Sequence, residues 1–178
     1  MGRWDVLRRS SIQMSEVTIR NVQPKDLDEC CVVEKSGFLP DEAASRETIQ
    51  LRIDIFPQGF FVAEFNGSVV GMVNGASTNK DDISDEELKQ LIGHDVNGRN
   101  MVIFALAVLP EFQKRGIAKQ LMLKFVEEAR QNKKEKVLLM CKHYLVAYYE
   151  RLGFIHAGLS SSTHGGAEWH EMRLSLKD

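Results

Sequence analysis

The chain lacks any run of apolar residues approaching the ~20 that a bilayer-spanning helix needs. It also lacks a dominant charge. The 23 basic residues face 25 acidic ones, for a formal net charge of -2. Such a balance does not advertise nucleic acid or an anionic membrane as a partner. Cysteine is scarce: Cys30, Cys31 and Cys141 are odd in number, two are adjacent, and no metal-ligand spacing occurs. This fits buried thiols in a reducing compartment better than a disulfide scaffold, and no metal is implied. No internal repeat or low-complexity tract stands out. Met1 to Met14 is polar and has no apolar core segment, unlike a secretory signal. Gly2 follows Met1, but Val6 stands where a myristoylation motif needs Ser or Thr. A loose tail over 1–14, a single domain over 15–178 and a cytoplasmic location are the expectations.

What is present is ordinary for a globular protein: 43% apolar and 27% charged residues. The 178 residues suffice for one domain with a real core and not for two. Val17 and Ile19 alternate with polar neighbours and predict a strand. Pro24 fits the first turn of a helix whose stripe is Leu27, Cys30, Cys31 and Val33. Asp41 is expected to open a second helix carrying Ile49, Ile53 and Phe56. Asn66-Gly67 separates two strands and is the strongest short hairpin signal in the chain. Ser84, with Glu87 three residues on, reads as a helix cap. Met101 to Leu109 is a near-continuous apolar strand. Ile117, Leu121, Phe125 and Ala129 then repeat every fourth residue, as one helix face requires. Lys136 to Cys141 is a further strand, Leu145 to Leu152 a short helix, and two strands finish the chain. The sum is an α/β (α+β) domain: a mostly antiparallel sheet with one parallel strand–helix–strand unit at its centre.

That central unit carries an electrostatic oddity. The long helix starts with Lys114-Arg115-Gly116, although helix starts bear partial positive charge and favour acids. An anion seated over the turn resolves the conflict. Free backbone amides and the dipole attract it, Gly116 lets it approach, and the two cations surround it. Phosphate is the natural guest. The pattern is neither a P-loop nor a dinucleotide fingerprint. Local spacing alone leaves open a plain amphipathic helix with a basic surface start.

Two motifs extend this reading. Gln113-Lys114-Arg115-Gly116-Ile117-Ala118, after Leu106-Ala107-Val108, resembles the acetyl-CoA motif of the GNAT superfamily of N-acetyltransferases. Tyr149 to Phe154 resembles that family's later motif, a helix ending Tyr-x-x-x-Gly-Phe. The order of Phe38 to Asp41, the Asn66-Gly67 hairpin, "LMC", "LVAYYE" and Glu171 to Leu174 is similar to the serotonin (arylalkylamine) N-acetyltransferase branch. The resemblance implies a GNAT fold with two splayed parallel central strands. It implies that Leu106, Ala107 and Val108 hold the pantetheine arm like a missing strand. Gln113, Lys114, Arg115, Gly116, Ile117, Ala118 and Lys119 would hold the diphosphate of acetyl-CoA. Coenzyme A would be a product.

By the same resemblance Tyr149 is the general acid; the alternative is a packing tyrosine with a satisfied hydroxyl. The branch carries two histidines on its central strand as a base relay, and here Val102 and Phe104 stand in their places. Neither carries a proton. Three replacements stay open: Glu34 acting through water, a histidine elsewhere (His143 first, then His170), or a water chain without a dedicated base. Phe38, Leu39, Pro40 and Met140 are candidates for an apolar acceptor slot, or plain core. Asp41 and Glu42 either attract a polyamine or serve as helix-start acids. The expected activity is acetyl transfer to the primary amine of a small molecule, an arylalkylamine or polyamine, by direct attack in a ternary complex. A protein or peptide N-acetyltransferase and a coenzyme A-binding module without turnover are the rivals. No nucleic-acid or membrane partner is expected.

Overall fold

A computed structural model describes residues 16–177; the expected tail over 1–14 lies outside the described residues. The chain runs β1 (Val17–Asn21), α1 (Leu27–Gly37), α2 (Arg46–Ile55), β2 (Phe60–Phe65), β3 (Ser68–Thr78) and β4 (Asn100–Val108). It continues with α3 (Ile117–Gln131), β5 (Lys136–Cys141), α4 (Val146–Arg151), β6 (Ile155–Leu159) and β7 (His170–Ser175). The seven strands form one sheet in the order β1-β2-β3-β4-β5-β7-β6. Every neighbouring pair is antiparallel except β4–β5. No helix among the described residues is long and apolar enough to cross a membrane.

Each face of the sheet buries a helical layer. Ile117, Leu121, Met122, Phe125 and Ala129 of α3 pack with Met101, Ile103 and Val108 of β4 on one side. Cys30 and Val33 of α1 and Ile49 and Ile53 of α2 pack on Met72, Ala105 and Ala107 on the other. The four-residue repeat of α3 therefore faces the sheet, as its spacing dictates. Asn66 (φ 48°) and Gly67 (φ 78°) make the left-handed turn between β2 and β3.

Three local expectations change. Residues 41–44 form no helix; α2 begins at Arg46, with Ser45 Oγ accepting from Thr48 N at 3.2 Å. The Ala44 amide instead donates 2.9 Å to Glu34 Oε1, so a long-range partner holds that turn open. Asp85, not Ser84, caps the following short 3-10 turn, Glu86–Gln90. Cys30 and Cys141 are buried free thiols, but Cys31 is only half-buried.

A β-bulge positions the site. Gly75 pairs with Ile103, yet Asn74 pairs with Ala105, leaving Phe104 as a surplus residue in β4. Side-chain parity switches there, because an extra residue reverses the alternation that follows. Met101 and Ile103 face α3, whereas Ala105 and Ala107 face α1 and α2. Gly75 permits the crowding, since a Cβ there would lie 1.6 Å from Val102 O. The β4–β5 pairing ends at Ile103↔Leu139, one residue before the bulge. From Phe104 onward β4 has no strand on that side, and the two central strands splay.

Candidate functional site

The splay opens a cleft of about 640 Å³. The α1–α2 loop, through Phe38, Leu39 and Pro40, forms one wall, and Leu106, Cys141 and Tyr149 line the gap between the strands. A second, inner cavity of about 250 Å³ lies beneath the same loop. Phe38, Glu42, Ile103, Phe104, Met140 and Trp169 line both, so the two spaces adjoin. Glu34, Thr48, Arg52 and His164 line the inner one.

The loop over the cleft is fastened at several points. Lys142 Nζ lies 2.6 Å from Glu42 Oε1 and 5.2 Å from the centre of the Trp169 ring. The two ring nitrogens of His164 face Glu42 O at 2.9 Å and Glu86 Oε2 at 2.8 Å. Lys142, Glu42, His164 and Trp169 thus have a defined role that motif matching does not supply.

Tyr149 sits on α4, its ring packed edge-on against Tyr148 and Phe154 at 5.2 and 5.8 Å between centroids. Burial pushes its phenol well above the usual range, so it stays protonated. Its hydroxyl makes no hydrogen bond among the described residues. On the opposite side of the site, Glu34 of α1 is 3% exposed. Its Oε1 accepts from Ala44 N, and its Oε2 has no partner among the described residues. Desolvation raises its carboxyl above the ordinary value, a rise limited by the Ala44 amide and by Arg52. Val102 is fully buried beside these groups, and Arg52 stacks on the Phe104 ring at 4.7 Å.

His143 is exposed and belongs to neither lining. Its ring lies tilted 5.1 Å from that of His170, whose Nδ1 is 2.9 Å from His156 Nε2, and none of the three lines either cavity. Of the open replacements, the histidines named from the sequence, His143 and His170, line neither cavity; Glu34 and His164, a histidine not named from the sequence, line the inner one. Phe38, Leu39, Pro40 and Met140 all reach the cleft, Leu39 and Pro40 only its outer part. Arg52 was also missed, although it lies three residues after Ile49, on the buried face of α2. A charged residue in an apolar stripe was the available signal.

At the other end of β4, Lys114 (φ 60°) and Gly116 (φ 79°) both adopt left-handed conformations. Gly116 is the N-cap of α3, and no side chain caps that helix. The amides of Lys114, Arg115 and Gly116 have no protein acceptor among the described residues. A bare, cation-flanked helix start of this kind suits an anion. The unpaired edge of β4 suits an extended chain bearing amides. Gln113 Nε2 takes one carbonyl there, Val108 O, at 3.0 Å. The residues present therefore fit an acyl-coenzyme A laid along the splay with its diphosphate on the turn.

Comparisons with known proteins bear on the fold and the family. Part of a probable hydrolase, YhcX of Bacillus subtilis, is 28% identical over 113 residues, 60% of this chain. The chain spans only 22% of that protein. A serotonin N-acetyltransferase of Mesocricetus auratus is 25% identical over 177 residues, covering 96% of this chain and 82% of the relative. Among solved structures, the loading GNATL domain of CurA from Lyngbya majuscula superposes with a TM-score of 0.82 at 18% identity. The match covers 89% of this chain and 97% of that one. The profile of the acetyltransferase (GNAT) family matches residues 27–154, from α1 through Phe154, and the chain belongs to that family.

Proposed function

We propose that the protein is an acetyl-CoA-dependent N-acetyltransferase that acts on the primary amine of a small molecule in a ternary complex. The observation that carries this reading is the pair of adjoining cavities, with the protonated Tyr149 in one and the buried carboxyl of Glu34 in the other. Acetyl-CoA supplies the acyl group as an activated thioester. Lys114, Arg115 and the free amides up to Lys119 hold the diphosphate, and the backbone of Leu106 to Val108 orients the pantetheine.

The residues of the chain address two proton problems. An alkylamine with a pKa near that of Lys, ~10.4, is neutral in about one molecule per thousand at pH ~7.4, a handicap of roughly 4 kcal/mol. Burial in the inner cavity disfavours the ammonium, and Glu34 Oε2 takes its proton directly or through one water. A carboxyl raised by burial is a better base than an ordinary glutamate. Tyr149 Oη holds a proton for the departing sulfur at the other wall. His143 and His170, outside both cavities, have no part in this scheme.

A protein acceptor needs an open groove, and the loop fastened through Glu42 to Lys142 and His164 argues for a small molecule instead. Glu42 is neutralised by Lys142, so it offers no attraction to a polyamine. The test is free-thiol release from acetyl-CoA with aromatic amines, polyamines, amino acids and a peptide. Tight coenzyme binding with no release from any acceptor would make the protein a binding module and end this reading.

A further inference from the structure

Charged groups lining the inner cavity are mostly paired. Glu42 meets Lys142 at 2.6 Å, and Glu86 meets Lys89 at 3.0 Å and His164 at 2.8 Å. Glu34 and Arg52 are the exceptions. Both are only 3% exposed, and among the described residues neither has an ion-pair partner, nor do they pair with each other. Arg52 donates to Lys89 O at 3.3 Å (Nε) and 3.1 Å (Nη2), and to Asn74 Oδ1 at 3.1 Å (Nη1). These acceptors are uncharged, and they use three of the five N–H donors of a guanidinium. Burial lowers the Arg52 pKa to about 10, so it remains a cation at neutral pH with no anion in contact. Glu34 Oε2 is an orphaned acceptor in the same cavity. A buried charge is retained where something pairs with it.

We propose that the acceptor is a small zwitterion, a primary amine that also carries a carboxylate, such as an amino acid, bound with its ammonium at Glu34 and its carboxylate at Arg52. This rests on the acyl-transfer reading above. The two unpartnered groups, an acid and a cation, share a space of about 250 Å³, which suits a molecule of amino-acid size. A simple monoamine satisfies only Glu34, and a polyamine also brings a second cation beside Arg52. A simple carboxylate satisfies only Arg52. A zwitterion satisfies both. The Phe104 ring lies under the guanidinium carbon at 4.7 Å, a cation–π contact that helps hold the Arg52 side chain at the cavity wall.

The test uses matched acceptors that differ only in the carboxylate: amino acids, their decarboxylated amines and their primary amides. Thiol release is measured with acetyl-CoA, and acceptor binding is measured by calorimetry on protein saturated with coenzyme A. The expected result is a kcat/KM at least tenfold higher for the best amino acid than for its decarboxylated amine and its amide. Arg52→Gln removes that preference, and Arg52→Lys restores part of it. The ratio between matched acceptors is the readout, since a merely structural role for Arg52 lowers all rates together. If the decarboxylated amines are the better substrates, the zwitterion proposal is wrong and acyl transfer stands. If no acceptor releases thiol, acyl transfer fails and calorimetry decides: amino acids binding no tighter than their decarboxylated amines overturns the proposal as well. Should Arg52→Gln not fold, the wild-type ratios alone decide between the two outcomes.

Discussion

Lys142 Nζ reaches 2.6 Å to Glu42 Oε1, and this one ion pair joins the end of β5 to the loop that covers both cavities. Glu42's side chain is only 6% exposed, so the pair is partly shielded from solvent. Replacing Lys142 by Met should loosen the loop and raise the acceptor's KM about fivefold, equivalent to ~1 kcal/mol. Glu42→Gln should do the same. Because the two act through one contact, the double variant should be little worse than either single one. Steady-state kinetics on the three variants checks this, and strictly additive effects would separate the two residues.

The cations at the start of α3 should matter for the coenzyme and not for the acceptor. Reversing both, Lys114→Glu with Arg115→Glu, removes two charge-assisted contacts and sets like charge against the diphosphate. Coenzyme A affinity should fall at least about tenfold. The loss should shrink at high salt, because both side chains are solvent-accessible. Titration calorimetry at two ionic strengths measures both effects. An unchanged Kd would put the diphosphate elsewhere.

Tyr149→Phe keeps the ring between Tyr148 and Phe154 and deletes only the hydroxyl. The expected result is a fall in kcat of roughly 10²-fold with coenzyme affinity unchanged. Because burial raises the phenol, the wild-type rate should show no alkaline fall in the ordinary tyrosine range near ~10 that this group could cause. A variant as fast as the parent would remove Tyr149 from the chemistry.

Glu34 must be ionised to accept a proton, and burial raises its pKa above 4.5. The kcat/KM profile should therefore fall as pH drops, with its acid limb above the normal carboxylate range. Glu34→Gln should lower kcat/KM about 10²-fold at neutral pH and abolish that limb. The same shift has an opposite signature in stability. Deprotonating a buried carboxyl costs the folded state, so Glu34's contribution is full below 4.5 and is lost as pH rises through its raised folded value. Thermal melts from about pH 4 to about pH 8 should show the parent losing stability relative to Glu34→Gln as pH rises. A difference that stays constant across that span would place the folded pKa at its ordinary value.

Much of the frame was legible because its signals are local. The four-residue repeat from Ile117 to Ala129 and the apolar strands at Met101 and Lys136 needed no tertiary information. The start of α2 was misread from Asp41, because its neighbour Ala44 answers to Glu34, ten residues back, and not to a local helix. The bulge was hidden in an apolar run where every residue from Met101 to Val108 suits a strand. Only Gly75, inside the facing strand, hinted at a close backbone approach. Lys134 was equally invisible: it is buried, donating to Ser77 Oγ, Val96 O and Gly98 O at 2.7, 2.8 and 2.6 Å, and so anchors the loop before β4. The placement of Arg52 and Glu34 around one cavity depends on where α1 and α2 cross the sheet, which no spacing encodes.

One surplus residue in β4 carries a constraint on how this protein can diversify. Phe104 is at once the hinge that turns the strand from its parallel neighbour and the floor under the Arg52 side chain. Exchanging its side chain reshapes both spaces, which it lines, while leaving the backbone splay between the strands in place. Deleting it would realign β4 with β5 and carry Ala105 to Val108 each to the opposite face. New acceptor preferences are thus reachable by substitution at position 104, whereas a change of chain length there would forfeit both chambers in one step.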